Sequence, residues 1–214
     1  MPSTSSDKGP FKTVTGLAAA MREENIDTDI IFPARFLLIT ARSGLGEYAF
    51  HDRRFDAQGK EVPGFVLNSE QFREAPVIVA GANFGSGSSR EQAVWALLGR
   101  GTRAVISSSF GEIFYSNCLR NGVLPILLPQ DDVAALMDAA QSGAVFTADL
   151  ETQELRVDGQ GARTFSIPAE RRMAMLNGWD ETDQIINQYS PAIDAFEQGQ
   201  RRVQPWLYQE EQDA

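Results

Sequence analysis

The stretch "VIVAGANFGSGSSREQAVWALLGRGTRAVI", residues 77–106, decides the fold. Pro76 to Ala80 is a short apolar run with β-branched residues, which reads as a buried strand. A glycine-rich loop follows, and Arg90 to Gly99 then places Ala93, Val94, Leu97 and Leu98 on one helical side. Arg103 to Ile106 is a second strand. Continuing outward, Ile113 to Arg120 reads as a helix stopped by Asn121-Gly122, and Leu124 to Leu128 as a third strand. Parallel neighbours need a crossover of about a dozen residues, usually a helix, so this alternation predicts a parallel sheet.

The flanks are less regular. Phe11 to about Leu17 predicts a short strand, followed by the polar turn Asn25 to Asp29 and an apolar stretch, Ile30-Ile31-Phe32, stopped by Pro33. Residues 40–65 predict a long irregular segment with Gly44, Gly46, Gly59 and Gly64, and such loops are more often functional than decorative. After Pro129, "DDVAALMDAAQSG" predicts an amphipathic helix ending at Gly143. Residues 144–167 alternate as a hairpin turned by Asp158-Gly159. Helices are expected over 168–177 and about 180–199. The domain reading is a disordered leader over 1–10, an α/β domain over 11–167, and C-terminal helices and tail over 168–214.

Composition narrows the chemistry. The 214 residues carry a formal charge of −10, against the basic face expected of a nucleic-acid partner or of a protein adsorbed to anionic membranes. No apolar run approaches the roughly 18 residues of a spanning helix. The N-terminal "MPSTSSDKGPFK" lacks the apolar core of a secretory signal, and the single cysteine, Cys118, fits a reducing cytoplasm. One cysteine and one histidine, His51, cannot supply a zinc site or a self-contained iron–sulfur cluster, so any metal must come on another chain. His51 is read as solvated or structural, Cys118 as a packed small hydrophobe, and Asp27 and Asp29 as turn-capping residues rather than a metal pair.

Two functions compete for Gly81 to Arg90. Gly81, Gly85 and Gly87 fit a dinucleotide loop between strand and helix, which would make the protein a nicotinamide-dependent oxidoreductase. Against this, the second strand ends in Ser107-Ser108-Ser109 where an acidic residue should hold the ribose, and no Tyr-x-x-x-Lys pair occurs. In the other reading the helix start grips a carboxylate. Ser88 or Ser89 would N-cap the helix, with Glu91 or Gln92 closing a capping box, while free N–H groups and Arg90 attract an anion. The same serines also fit plain caps beside a solvated arginine.

Longer patterns carry a resemblance. "ANFGSGSSREQAVWALLGRGTRAVISSSFGEIFYSNCLRNGVLPILL" resembles the aconitase superfamily's swivel domain, and most of all the small subunits of the 3-isopropylmalate dehydratase family. "NIDTDIIFPARFL" and "ARSGLGEYAFHDRRF" are similar to further family patterns, so the likeness covers roughly residues 11–128. Ser86 stands where many relatives have Cys, and Gln92 and Val94 where the bacterial form usually has His and Pro. The resemblance implies a three-layer β/β/α swivel domain with a helical C-terminal segment. It implies a hydro-lyase of leucine biosynthesis that dehydrates 2-isopropylmalate to isopropylmaleate and rehydrates it to 3-isopropylmalate. A relative acting on a methyl- or dimethyl-malate is the neighbouring alternative. By the same likeness Ser88 matches the catalytic base, Ser89 and Arg90 match carboxylate-binding residues, and Asp29 matches an acid near the active-site water. Arg42 lies in a loop credited with substrate selection. The [4Fe–4S] cluster would be carried by a large partner subunit, with none bound by this chain.

Overall fold

The computed structural model describes residues 9–39, 41 and 43–208. Most of the expected leader, residues 1–8, and the candidate Arg42 lie outside the described residues. The chain divides into two compact units, one ending at Gly178 and the other running from Trp179.

The larger unit begins with a nine-residue strand β1 (Thr13–Met21) and a one-turn helix α1 (Thr28–Ile31), followed by another short helix α2 (His51–Arg54). The expected alternation then appears: β2 (Val77–Ala80), α3 (Glu91–Gly99), β3 (Ala104–Ser107), α4 (Glu112–Asn121) and β4 (Leu124–Leu127). Helix α5 (Gln130–Gln141) leads into β5 (Val145–Asp149), β6 (Glu154–Val157) and β7 (Arg163–Thr164), and α6 (Ala169–Asn177) closes the unit.

Seven strands make one sheet in the order β4-β3-β2-β1-β5-β6-β7. The predicted parallel pairing holds from β2 to β4, with Val77 opposite Ala104, and β1 joins the same parallel set, Ala18 opposite Val77. On its other side β1 pairs antiparallel with β5, Thr13 opposite Asp149. The strand therefore divides: Thr13 to Leu17 serve β5, and Ala18 to Met21 serve β2.

Alternation along the parallel strands separates two cores. Val77, Val79, Ile106 and Ile126 join α5 and the inner residues of β5 and β6, Phe146 and Leu155, because the sheet curls. Ile78, Ala80 and Val105 face the other way, onto Ala93, Val94 and Leu97 of α3 and the aromatic residues Phe32, Phe50 and Phe84. This is a mixed α/β fold with helices on a curled sheet.

Two expectations need correction. The first strand does not stop near Leu17 but runs on through Ala18, Ala19 and Ala20 to Met21, because parallel pairing with β2 outweighs the weak strand propensity of alanine. The region over 144–167 is a three-strand meander, and Asp158-Gly159 turns only β6 into β7. The other turn, Leu150 to Gln153, uses Gln153 in the left-handed conformation (φ 55°) and carries no Gly or Asn signal.

In the smaller unit, α7 (Glu181–Val203) is started by a capping box between Asp180 and Asp183. It buries no residue and leaves Ile185, Ile186, Tyr189 and Phe196 exposed. The Tyr208 ring lies under the Arg201 guanidinium, 4.2 Å from its carbon to the centroid.

Candidate active site

Parallel strands deliver their carboxyl ends to one edge of a sheet, where the loops that follow them gather. Here the segments after β1, β2 and β3 meet, and the glycine-serine loop is fastened on both flanks. On one flank, Asn25 N–H donates to Ala82 O (2.9 Å), Gly85 N–H to Ile26 O (2.7 Å) and Thr28 N–H to Ser86 O (2.9 Å). Asp27 and Ser86 form a parallel bridge. The Thr28 hydroxyl donates to Ser88 O at 3.0 Å, and the Arg90 guanidinium pairs with the Asp29 carboxylate. Loop residues 86, 88 and 90 are thus held in alternation by residues 28 and 29.

On the opposite flank, Phe84 N–H donates to Ser109 O (3.1 Å) and Gly111 N–H to Phe84 O (2.9 Å). Asn83 N–H reaches Ser109 Oγ at 2.7 Å, while the Ser107 hydroxyl lies 2.7 Å from Gly81 O and 2.9 Å from Ser109 O. Two asparagines turn the chain left-handed, Asn25 (φ 58°) and Asn83 (φ 60°), and their side-chain amides join at 2.8 Å. Gly85 (φ 72°) sits where a Cβ would overlap the Phe114 ring, so the loop lies closer to α4 than any other residue allows.

Ser88 and Ser89 are exposed on this fastened loop, whereas the Arg90 side chain is only 14% exposed. The expected serine cap is not formed. Arg90 itself is the N-cap of α3, with extended backbone (φ −128°) and no side-chain capping bond. The physical reason is that Thr28 takes the Ser88 carbonyl, and Glu91 accepts from Asn121 Nδ2 (2.7 Å) across to α4 instead of folding back. The first-turn N–H groups of α3 have no side-chain cap, and they lie beside two exposed serines whose hydroxyls have no hydrogen-bond partner among the described residues and beside the Arg90 guanidinium, an arrangement that attracts an anion.

Asp27 behaves as the sequence suggested, its Oδ1 accepting Ile30 N–H at 2.8 Å to cap α1. Asp29 and Arg90, assigned separately from the sequence, prove to be a pair. Burial pushes the Cys118 thiol well up, consistent with a packed apolar group. His51 stands among Phe36 and Phe55, with ring centroids 5.0 and 5.1 Å away, and its Nδ1 is 3.1 Å from Arg35 Nη2. It lines a cleft of about 520 Å³ with Arg35 and Asp52, to which none of Asp29, Ser88, Ser89 and Arg90 contributes. The Arg35 guanidinium, by hydrogen bonding, holds the Asp52 carboxyl below the usual carboxylate range.

Comparison with known proteins bears on this geometry directly. Residues 8–131 match the model of the aconitase C-terminal domain, and residues 188–210 match that of the C-terminal domain of 3-isopropylmalate dehydratase small subunits. The 3-isopropylmalate dehydratase small subunit of Rhodospirillum centenum is 48% identical over 198 residues, covering 92% of this chain and 97% of that protein. The one from Jannaschia is 47% identical over 199 residues, with 92% and 98% covered. The chain belongs to the 3-isopropylmalate dehydratase small-subunit family. A crystal structure of 3-isopropylmalate dehydratase from Methanocaldococcus jannaschii superposes with a TM-score of 0.63 at 27% identity, covering 86% of this chain and 99% of that one. Membership in the small-subunit family decides the choice that the glycine loop left open, against a dinucleotide cradle. The sequence reading missed Thr28, Asn25, Asn83 and Ser107, which hold the loop in this small-subunit fold. Their only signal was polar residue type at strand ends, since their partners lie 26 to 60 residues away.

Proposed function

We propose that Ser88, Ser89 and Arg90 are this chain's share of a hydro-lyase site completed by a large partner subunit. The chain is a 3-isopropylmalate dehydratase small subunit, serving leucine biosynthesis by interconverting 2- and 3-isopropylmalate through isopropylmaleate. The observation that carries the site reading is the pair of exposed serine hydroxyls on a loop pinned at both flanks, beside Arg90 at the uncapped start of α3.

In this reading Ser88, as an alkoxide, removes a proton from the carbon beside the hydroxyl-bearing carbon. The C–H electron pair becomes the double bond as the C–O bond breaks, the oxygen leaving as hydroxide and Ser88 ending as the neutral alcohol. Ser89 and Arg90 hold a substrate carboxylate, Arg90 as a planar fork. The positive end of the α3 dipole favours both the carboxylate and the alkoxide. Arg42 would meet the substrate's variable end. Exposure of Ser88 to water means that a partner surface must close over it before proton transfer becomes efficient.

The donor set of this chain does not fit a [4Fe–4S] cluster: it has one thiol, Cys118, and that thiol is wholly buried in the α4 core. The cluster is therefore assigned to the large partner, where it would supply a Lewis acid at the substrate hydroxyl. No helix among the described residues is long and apolar enough to cross a membrane. A cytoplasmic setting suits the single unpaired cysteine.

The test is Ser88→Ala in the complex assembled with its large subunit under argon, following isopropylmaleate by ultraviolet absorbance. Loss of the base lowers kcat by about 10²–10⁴ while assembly and KM stay near wild type. A near-normal kcat removes Ser88 from the role of base.

A further inference from the structure

We propose that Thr28 is the positioning residue for Ser88, setting the plane of the Ser88–Ser89 peptide through its hydroxyl. The proposal rests on the reading of Ser88 as the base. Thr28 is 1% exposed, and every polar group it owns is used. Its N–H donates to Ser86 O at 2.9 Å, its carbonyl accepts Phe32 N–H at 2.9 Å, and its hydroxyl donates to Ser88 O at 3.0 Å. Among the described residues no other hydrogen bond reaches Ser88.

The geometry makes that single bond consequential. Gly87, between the two held carbonyls, has φ 92° and leaves its would-be Cβ position 3.5 Å from Thr28 Oγ1. The chain between Ser86 and Ser88 therefore passes through a residue that contributes no side-chain anchor. A β-branched side chain is stiff at χ1, so Thr28 is a fixed post rather than a swinging one. In a trans peptide the N–H points opposite the C=O. Anchoring Ser88 C=O inward to Thr28 turns the Ser89 N–H outward and leaves the Ser88 and Ser89 side chains on the open face. Without the hydroxyl, the Ser88 carbonyl has no partner and the peptide is free to rotate about its flanking bonds. Small misplacements of a catalytic group cost large factors in rate; about 1 Å can cost 10²-fold.

The experiment compares Thr28→Val, Thr28→Ser and Thr28→Ala small subunits in the complex with the large subunit, measuring kcat, KM and thermal midpoint. The expected result is a kcat lowered about ten- to hundredfold in Thr28→Val with KM within about threefold, and recovery to within about threefold of wild type in Thr28→Ser. If Thr28→Val does not assemble, the Ser and Ala variants decide, since both lack the methyl group and only one keeps the hydroxyl. A kcat at least tenfold higher for Ser than for Ala supports the assignment. Equal kcat in those two, or wild-type kcat in Thr28→Val, overturns it while leaving Ser88 in place. If Ser88→Ala, run alongside, keeps near-normal kcat, the reading of Ser88 fails and this proposal falls with it.

Discussion

The two halves of β1 do different work. Ala18 to Met21 run parallel to β2, and their continuation reaches the candidate site; Thr13 to Leu17 run antiparallel to β5, and that half of the sheet carries no candidate residue. Chain direction explains the difference. Parallel strands end at the same edge, so the segments after β1, β2 and β3 can brace one another around Ser88. Antiparallel strands end alternately at opposite edges, so the β5–β6 and β6–β7 turns never meet. The parallel half concentrates polar loops in one place, and the antiparallel half supplies an apolar face, Phe146, Ala148, Leu155 and Val157, to a shared core.

Substitutions can break that contrast. The largest effect is expected for Gly85→Ala on the parallel side, where a Cβ meets the buried Phe114 ring and the residue must keep φ 72°. Overpacking and left-handed strain together cost about 3 kcal/mol, lowering the thermal midpoint by about 6–12 °C, with turnover falling as well because the loop shifts. A midpoint within about 2 °C of wild type would mean that Phe114 yields easily.

Arg90→Lys comes next. An ammonium cannot reproduce the bidentate fork, so KM rises at least about tenfold in the assembled enzyme, with little change in melting. An unchanged KM would place the carboxylate grip elsewhere. The smallest effect belongs to the antiparallel side. Gly159→Ala strains a turn at φ 74° with nothing within 4 Å of the new methyl, costing about 1 kcal/mol and about 2–4 °C while kcat stays unchanged. A loss of kcat there would show that the two halves are coupled after all.

Legibility in the sequence followed the same division. Strands β2, β3 and β4 were readable to within about a residue because burial makes each a continuous apolar run, as in Val77 to Ala80, whereas the parallel half of β1 was not. The meander was read as a single hairpin because Gln153, not a glycine, makes its first turn. At the site, the Gly-Ser-Ser-Arg residues stood out by type and by their place between strand and helix. The way they are held did not. A serine before a helix looks like a cap until a buried threonine 60 residues away takes its carbonyl, and no local spacing encodes that. The pairing of Asp29 with Arg90 was hidden for the same reason, at a separation of 61 residues.

The divided strand also has a consequence for synthesis. As the chain leaves the ribosome, Ala18 can find Val77 when little more than a third of the protein exists, but Thr13 must wait for Asp149, 136 residues on. At about 5–20 residues per second, the interval between the two pairings is on the order of four to fourteen seconds. During that time one edge of β1 is open, an invitation to another nascent strand. Its sequence there, Thr13-Val14-Thr15-Gly16-Leu17, is short, polar at alternate places and interrupted by glycine, which makes it a poor template for such a stray partner.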